Sequence, residues 1–98
     1  MVVIEKTDAF NTWVNALNDK RAKAKVLILL DRMKLGNNGD VKPVGEGVSE
    51  SRINYGKGLR IYFVRRGKQL IVVLGGGDKS TQSKDIKKAK QLAKQLAK

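Results

Sequence analysis

Five residues in the second half of the chain have the types and spacing to form one charged site on a sheet: Glu50, Arg52, Arg60, Tyr62 and Lys79. Residues two apart in an extended segment share a face. Glu50 and Arg52 therefore lie together on one run, and Arg60 and Tyr62 on the next. Lys79 follows the glycines that close a third run. Arginine presents a planar fork of donors that matches anionic groups. A carboxylate among them could take a proton, although a free glutamate titrates near about 4.3 and needs help from its setting to do so. The same charges would also suit a plain solvated sheet face. The strand register decides between the two, because it sets whether these side chains converge.

The stretch that must position them is Val48 to Ser80. Its apolar-rich runs are Val48 to Ile53, Leu59 to Val64 and Gln69 to Leu74, with turn signals at Tyr55-Gly56-Lys57-Gly58 and Arg66-Gly67-Lys68. Runs rich in Ile, Val, Tyr and Phe between glycine turns predict an antiparallel meander. Leu59, Ile61 and Phe63 point to one face of the middle run, and Arg60, Tyr62 and Val64 to the other. The last run is apolar on both faces, which predicts a central place in the sheet. One face then needs helices to cover it. The face with the arginines and the tyrosine is where function is expected.

Elements on either side supply the cover. Val2, Val3 and Ile4 read as a short opening strand. Thr7 can cap a helix that buries Phe10, Trp13, Val14 and Leu17 at i, i+3, i+4 and i+7. That spacing assigns Trp13 to the core rather than to base stacking. Asp19 can cap a second helix to about Leu35, with Ala22, Val26, Leu29, Leu30 and Met33 inside and Lys20, Arg21, Lys23 and Lys25 outside. The near contiguity of the two predicts an antiparallel helical hairpin on the sheet. Gly36 ends the second helix. Asn37 to Gly47 reads as a loop, with Pro43 holding Lys42 extended beside the polar face. Gly75-Gly76-Gly77 reads as a tight exit and lacks the spacing of a phosphate-binding loop. Asp78 to Ser83 leads to a last helix with Ile86, Ala89, Leu92, Ala93 and Leu96 on one side and Lys84, Lys87, Lys88, Lys90 and Lys94 on the other. Its apolar residues are mostly small, so it is expected to dock on the domain rather than on a membrane. The expected fold class is α+β in one domain, residues 1–98, with a short N-terminal strand, two-helix hairpin, three-stranded antiparallel meander and C-terminal helix.

Composition narrows the chemistry. The 98 residues contain no cysteine and no histidine, which removes disulfides, thiolate metal sites and the commonest general base. The formal charge is +12. Residues 1–49 hold 8 Lys+Arg against 6 Asp+Glu, whereas residues 50–98 hold 13 against 3. A basic half that begins with the sheet points to a polyanionic partner. The opening MVVIEKTDAF is too short in apolar residues for a signal peptide, and no run approaches a membrane span. A cytoplasmic location is expected.

The segments GDVKPVGEGVSESRI, GLRIYFVRRG and LGGGDKSTQSKDIKKAK, in that order after a short strand and a helical hairpin, resemble the RelE/ParE toxin superfamily. Within it the chain looks most like the HigB-like addiction module killer proteins, related to phage Gp49-like proteins. The resemblance covers nearly the whole chain. It implies the toxin of a type II toxin–antitoxin system, partnered by a small antitoxin. It further implies an endoribonuclease that cuts mRNA in the ribosomal A site by metal-independent attack of the ribose 2′-OH on the adjacent phosphate, with no cofactor. On that resemblance Arg60 is assigned to the scissile phosphate, Glu50 to the base and Arg52 to a second phosphate contact. Lys79 is assigned to a phosphate or to the leaving oxygen. Tyr62, Lys42, Arg65 and Lys84 are expected to bind substrate. Better-studied members often use a histidine or tyrosine near the C-terminus, which this chain lacks. Its tyrosines are Tyr55 and Tyr62. The alternatives are a ParE-like inhibitor of DNA gyrase and an inactive nucleic-acid-binding module.

Overall fold

Two capped helices, a five-stranded sheet and a terminal helix make up residues 1–97, which the computed structural model describes; Lys98 lies outside them. In chain order these are β1 (Val3–Lys6), α1 (Asp8–Asn15), α2 (Lys20–Lys34), β2 (Asp40–Gly45), β3 (Val48–Ile53), β4 (Leu59–Arg66), β5 (Leu70–Gly77), one 3-10 turn (Lys79–Thr81) and α3 (Gln82–Leu96). Both helix starts follow from their caps. Thr7 Oγ1 accepts from the Phe10 N–H at 3.2 Å, and Asp19 Oδ1 accepts from Arg21 and Ala22 N–H at 2.9 and 3.2 Å. The sheet order is β1-β5-β4-β3-β2. β1 runs parallel to β5, and every other pair is antiparallel. The α+β class expected from the sequence is the one observed, with β3, β4 and β5 as its antiparallel meander.

Alternation along β4 builds two cores. Leu59, Ile61 and Phe63 join Ile71 and Val73 against Phe10, Val14, Val26, Leu30 and Met33 of the helix pair. On the opposite face Tyr62 and Val64 join Val48, Val72 and Leu74 against Ala89 and Ala93 of α3. Burial on both faces explains why β4 is buried from Leu59 to Val64 without interruption.

Three expectations need correction. The stretch read as a loop between Asn37 and Gly47 contains a strand, β2, which pairs with β3. Proline and glycines hid it. At a sheet edge, however, a proline costs no ladder bond on its solvent side, and the turn Gly45-Glu46-Gly47 closes the hairpin with positive φ at all three residues. The second correction concerns the Gly75-Gly76-Gly77 exit, which is the end of β5. A Cβ on Gly76 would run into the Trp13 ring, and one on Gly77 into the Asp85 carboxylate, so the glycines allow α1 and α3 to close on the strand. Finally, the face with the arginines and Tyr62 is not open along its length, because α3 covers the end nearer Val64.

This packing gives a test. Gly76→Ala should destabilise the protein by about 1–3 kcal/mol, the range for overpacking a filled site. Gly75→Ala, where an added Cβ meets nothing within 4 Å, should change stability by less than about 1 kcal/mol. Urea unfolding of both variants checks the pair.

Candidate active site

Register places the expected site residues in two rows across the sheet. Lys42, Glu50, Tyr62 and Gly75 form one, and Asp40, Arg52, Arg60 and Gly77 the next. Directly paired residues share a face, so Glu50, Arg52, Arg60 and Tyr62 converge as their spacing required. β5 carries one extra residue, Leu74, between its pairs with Phe63 and Tyr62. Such bulges locally re-aim a strand.

Glu50 sits at the centre and is 1% exposed. Its Oε2 accepts from the Tyr62 hydroxyl at 3.1 Å and from Gln82 Nε2 at 2.9 Å, and it lies 3.5 Å from Arg60 Nε. A buried carboxylate is tolerable only when it is paired and hydrogen-bonded in this way. Tyr62 must donate here. Burial, then the neighbouring Glu50 charge, push its hydroxyl above its ordinary value of 10.0, so it keeps its proton.

Arg60 is 8% exposed. One guanidinium nitrogen donates to the Gly58 carbonyl at 2.7 Å. Nε is buried and faces Glu50 without the geometry of a hydrogen bond. Gly58 has φ +83°, and a Cβ there would stand 2.9 Å from the Arg60 guanidinium and 3.9 Å from Lys79 Cβ. The turn thus brings Lys79 beside Arg60 and requires glycine to do it. Two contacts fix that turn. The Lys79 N–H donates to the Lys57 carbonyl at 3.2 Å, and the Tyr55 hydroxyl donates to Asp19 Oδ2 at 2.8 Å. Arg52 and Arg60 line a groove of about 400 Å³ together with Asp40, Asn54 and Gly58. Arg52 is half-exposed and pairs with Asp40 at 3.2 Å.

The remaining expected residues divide. Lys42 is exposed on the row of Glu50, and Lys79 is exposed beside Gly58. Tyr62 is fully buried under α3, which leaves no ring face for a substrate base; its contact is with Glu50. Arg65 does not join the cluster. It alternates onto the face of Phe63, further along β4, and donates to the Lys68 carbonyl at 3.2 Å. Lys84 is exposed, about 200° around α3 from Gln82, and so points away. Gln82 was not singled out by sequence. It lies 32 residues from Glu50 and on another element, so no local spacing could reveal the contact. Among the described residues, no cluster of three or more acidic side chains is placed to hold a metal ion.

The burial gradient predicts unequal costs. Glu50→Ala leaves Arg60 as an unpaired buried cation and should cost about 3–5 kcal/mol, whereas Arg52→Ala, losing a half-exposed pair, should cost less than about 1 kcal/mol. Tyr62→Phe should also flatten the loss of stability above about pH 10. There the unfolded tyrosine ionises while the folded one, its pKa raised, holds its proton. Denaturant unfolding across pH checks all three.

Three comparisons place the chain among known proteins. The family model described as Phage derived protein Gp49-like (DUF891) matches residues 12–98. An uncharacterized protein of Haemophilus influenzae is 45% identical over 95 residues, covering 97% of this chain and 96% of that protein. In fold, the chain is similar to one in the crystal structure of the toxin–antitoxin complex RelBE2 from Mycobacterium tuberculosis. That match has a TM-score of 0.60 at 19% identity, over 80% of this chain and 98% of the other. With its RelE-like sheet and helices, this chain belongs to the phage-derived Gp49-like family.

Proposed function

We propose that the chain is the toxin of a toxin–antitoxin pair and that it cleaves mRNA on the ribosome. The observation that carries this reading is Arg60. It is nearly buried, held by Glu50 and Gly58, and borders a groove with Arg52 while Lys79 stands beside it. A cation fixed before substrate arrives needs no reorganisation when charge develops. The family match and the likeness in fold to a chain of a toxin–antitoxin complex support the same reading.

In this mechanism the scissile phosphate enters the groove at Arg60, and Arg52 holds a neighbouring phosphate. The ribose 2′-oxygen attacks phosphorus as the bond to the 5′-oxygen breaks. The 2′-OH proton passes to water, and the leaving 5′-oxygen takes a proton from the Lys79 ammonium or from water. A 2′,3′-cyclic phosphate and a 5′-hydroxyl result. Glu50 is too buried to meet a ribose hydroxyl, so its assignment changes from base to the group that aims Arg60. Tyr62 and Gln82 in turn aim Glu50. Lys42 and the basic surface around the groove attract the RNA backbone, with the cytoplasm as the site of action.

Induced expression in bacteria, with mapping of mRNA 5′ ends, tests this. Growth arrest with new cuts inside translated codons is expected. Arg60→Ala and, as an exposed substitution that spares the fold, Lys79→Ala should each lower cutting, the first by about 100-fold or more. Arrest without cuts would instead point to gyrase inhibition, and arrest that survives both substitutions would refute the site.

A further inference from the structure

The outer side of α2 carries a pattern that neither core uses. Ala24, Leu27, Ile28, Asp31 and Leu35 recur at helical spacing, away from the stripe of Ala22, Val26, Leu29, Leu30 and Met33 that is buried. Leu27, Ile28 and Leu35 are 45%, 49% and 78% exposed. Single exposed apolar side chains are ordinary; two on one helix, continued by a third at its C-cap, form a surface. By the same helical spacing, Arg21, Lys25 and Arg32 flank this stripe on one side and Lys20, Lys23 and Lys34 on the other. Beside Ile28 lies a cleft of about 300 Å³, to which Lys25, Arg32 and Arg52 all contribute. Arg52, Ile53 and Asn54 also line the groove of Arg60, so the two hollows meet at Arg52.

We infer that this face docks an acidic amphipathic helix of a protein partner. Its apolar side chains would lie on Leu27, Ile28 and Leu35, its carboxylates along the two basic rows, and one carboxylate in the cleft at Arg52. Charge complementarity selects this occupant. A second copy of a chain with net charge +12 would set like charges against each other along both rows. Nucleic acid would satisfy the cations and leave the apolar stripe without a partner. An anionic membrane would meet Asp31, exposed in the middle of the stripe and paired with Lys34 at 3.7 Å.

The proposal rests on the reading above in one respect: there, the partner is the antitoxin. It adds where the antitoxin grips and how it acts. A carboxylate at Arg52 neutralises one wall of the catalytic groove from outside, without entering the position of the scissile phosphate.

The test uses the full chain, isotopically labelled, and a designed helical peptide of about 18 residues, five turns, with leucines on one face flanked by glutamates. A twin peptide carries lysines for the glutamates. Amide shifts at Leu27, Ile28, Leu35 and Arg52 are expected with the acidic peptide and none with its twin. The double substitution Leu27→Gln, Ile28→Gln keeps every charge and should leave the melting temperature unchanged while weakening binding at least tenfold. Undiminished binding by that variant would overturn the proposal. So would shifts centred on α3 or Arg60, self-association through this face in ultracentrifugation, displacement of the peptide by phosphatidylglycerol vesicles, or an RNA oligonucleotide that by itself shifts the Leu27, Ile28 and Leu35 amides. No step uses cleavage, so a chain that cuts RNA but ignores the peptide refutes the docking face alone, and one that binds but does not cut refutes only the nuclease.

Discussion

A buried carboxylate organises this protein. Glu50 is removed from water in the middle of a sheet, and such a charge is costly unless its neighbours answer it. Three do: Arg60 from the adjacent strand, Tyr62 two residues further along it, and Gln82 from the start of α3. Each answer constrains a different part of the fold. Arg60 needs the Gly58 turn to close over it, Tyr62 needs α3 to shield it, and Gln82 needs α3 to begin where it does. The same contacts that stabilise Glu50 therefore fix the direction of the nearly buried Arg60 at the groove.

Stability and the geometry of the candidate site meet in that arrangement. Arg60 is ion-paired with Glu50 and donates to the Gly58 carbonyl, yet remains at the groove wall beside the half-exposed Arg52. A guanidinium held from behind can meet an anion in front without losing side-chain freedom at that moment. Lys79 differs in kind: it is exposed, and a backbone bond ties its turn to Lys57. The glycines of β5 serve the same end, since Gly76 and Gly77 admit Trp13 and Asp85 and so let α1 and α3 approach the strand that backs the site.

Much of this was legible in the residues. Glycine turn signals marked off β3 from Val48 to Ile53, and period two predicted the convergence of Glu50, Arg52, Arg60 and Tyr62, because it leaves little freedom once the strands pair in order. The caps at Thr7 and Asp19 were readable because they are local chemistry. β2 was not, since Pro43 and its flanking glycines carry loop signals that an edge position tolerates. Tyr62 was misplaced because a phenol on a polar face looks available until a helix covers it. The alternation itself should have kept Arg65 apart from Arg60. Leu27 and Ile28 escaped notice because α2 already had a complete inner stripe, and Gln82 because its partner is distant in sequence.

The claim that Glu50 aims Arg60 rather than taking the substrate proton is the centre of the account. Single-turnover cleavage by Glu50→Gln, followed across pH beside the unsubstituted chain, tests it most directly. The amide keeps an oxygen for Tyr62 and Gln82 but loses the charge that holds Arg60. A lower plateau with the same shape of pH profile is the predicted result. A profile whose acidic limb disappears would make Glu50 the general base and contradict the account.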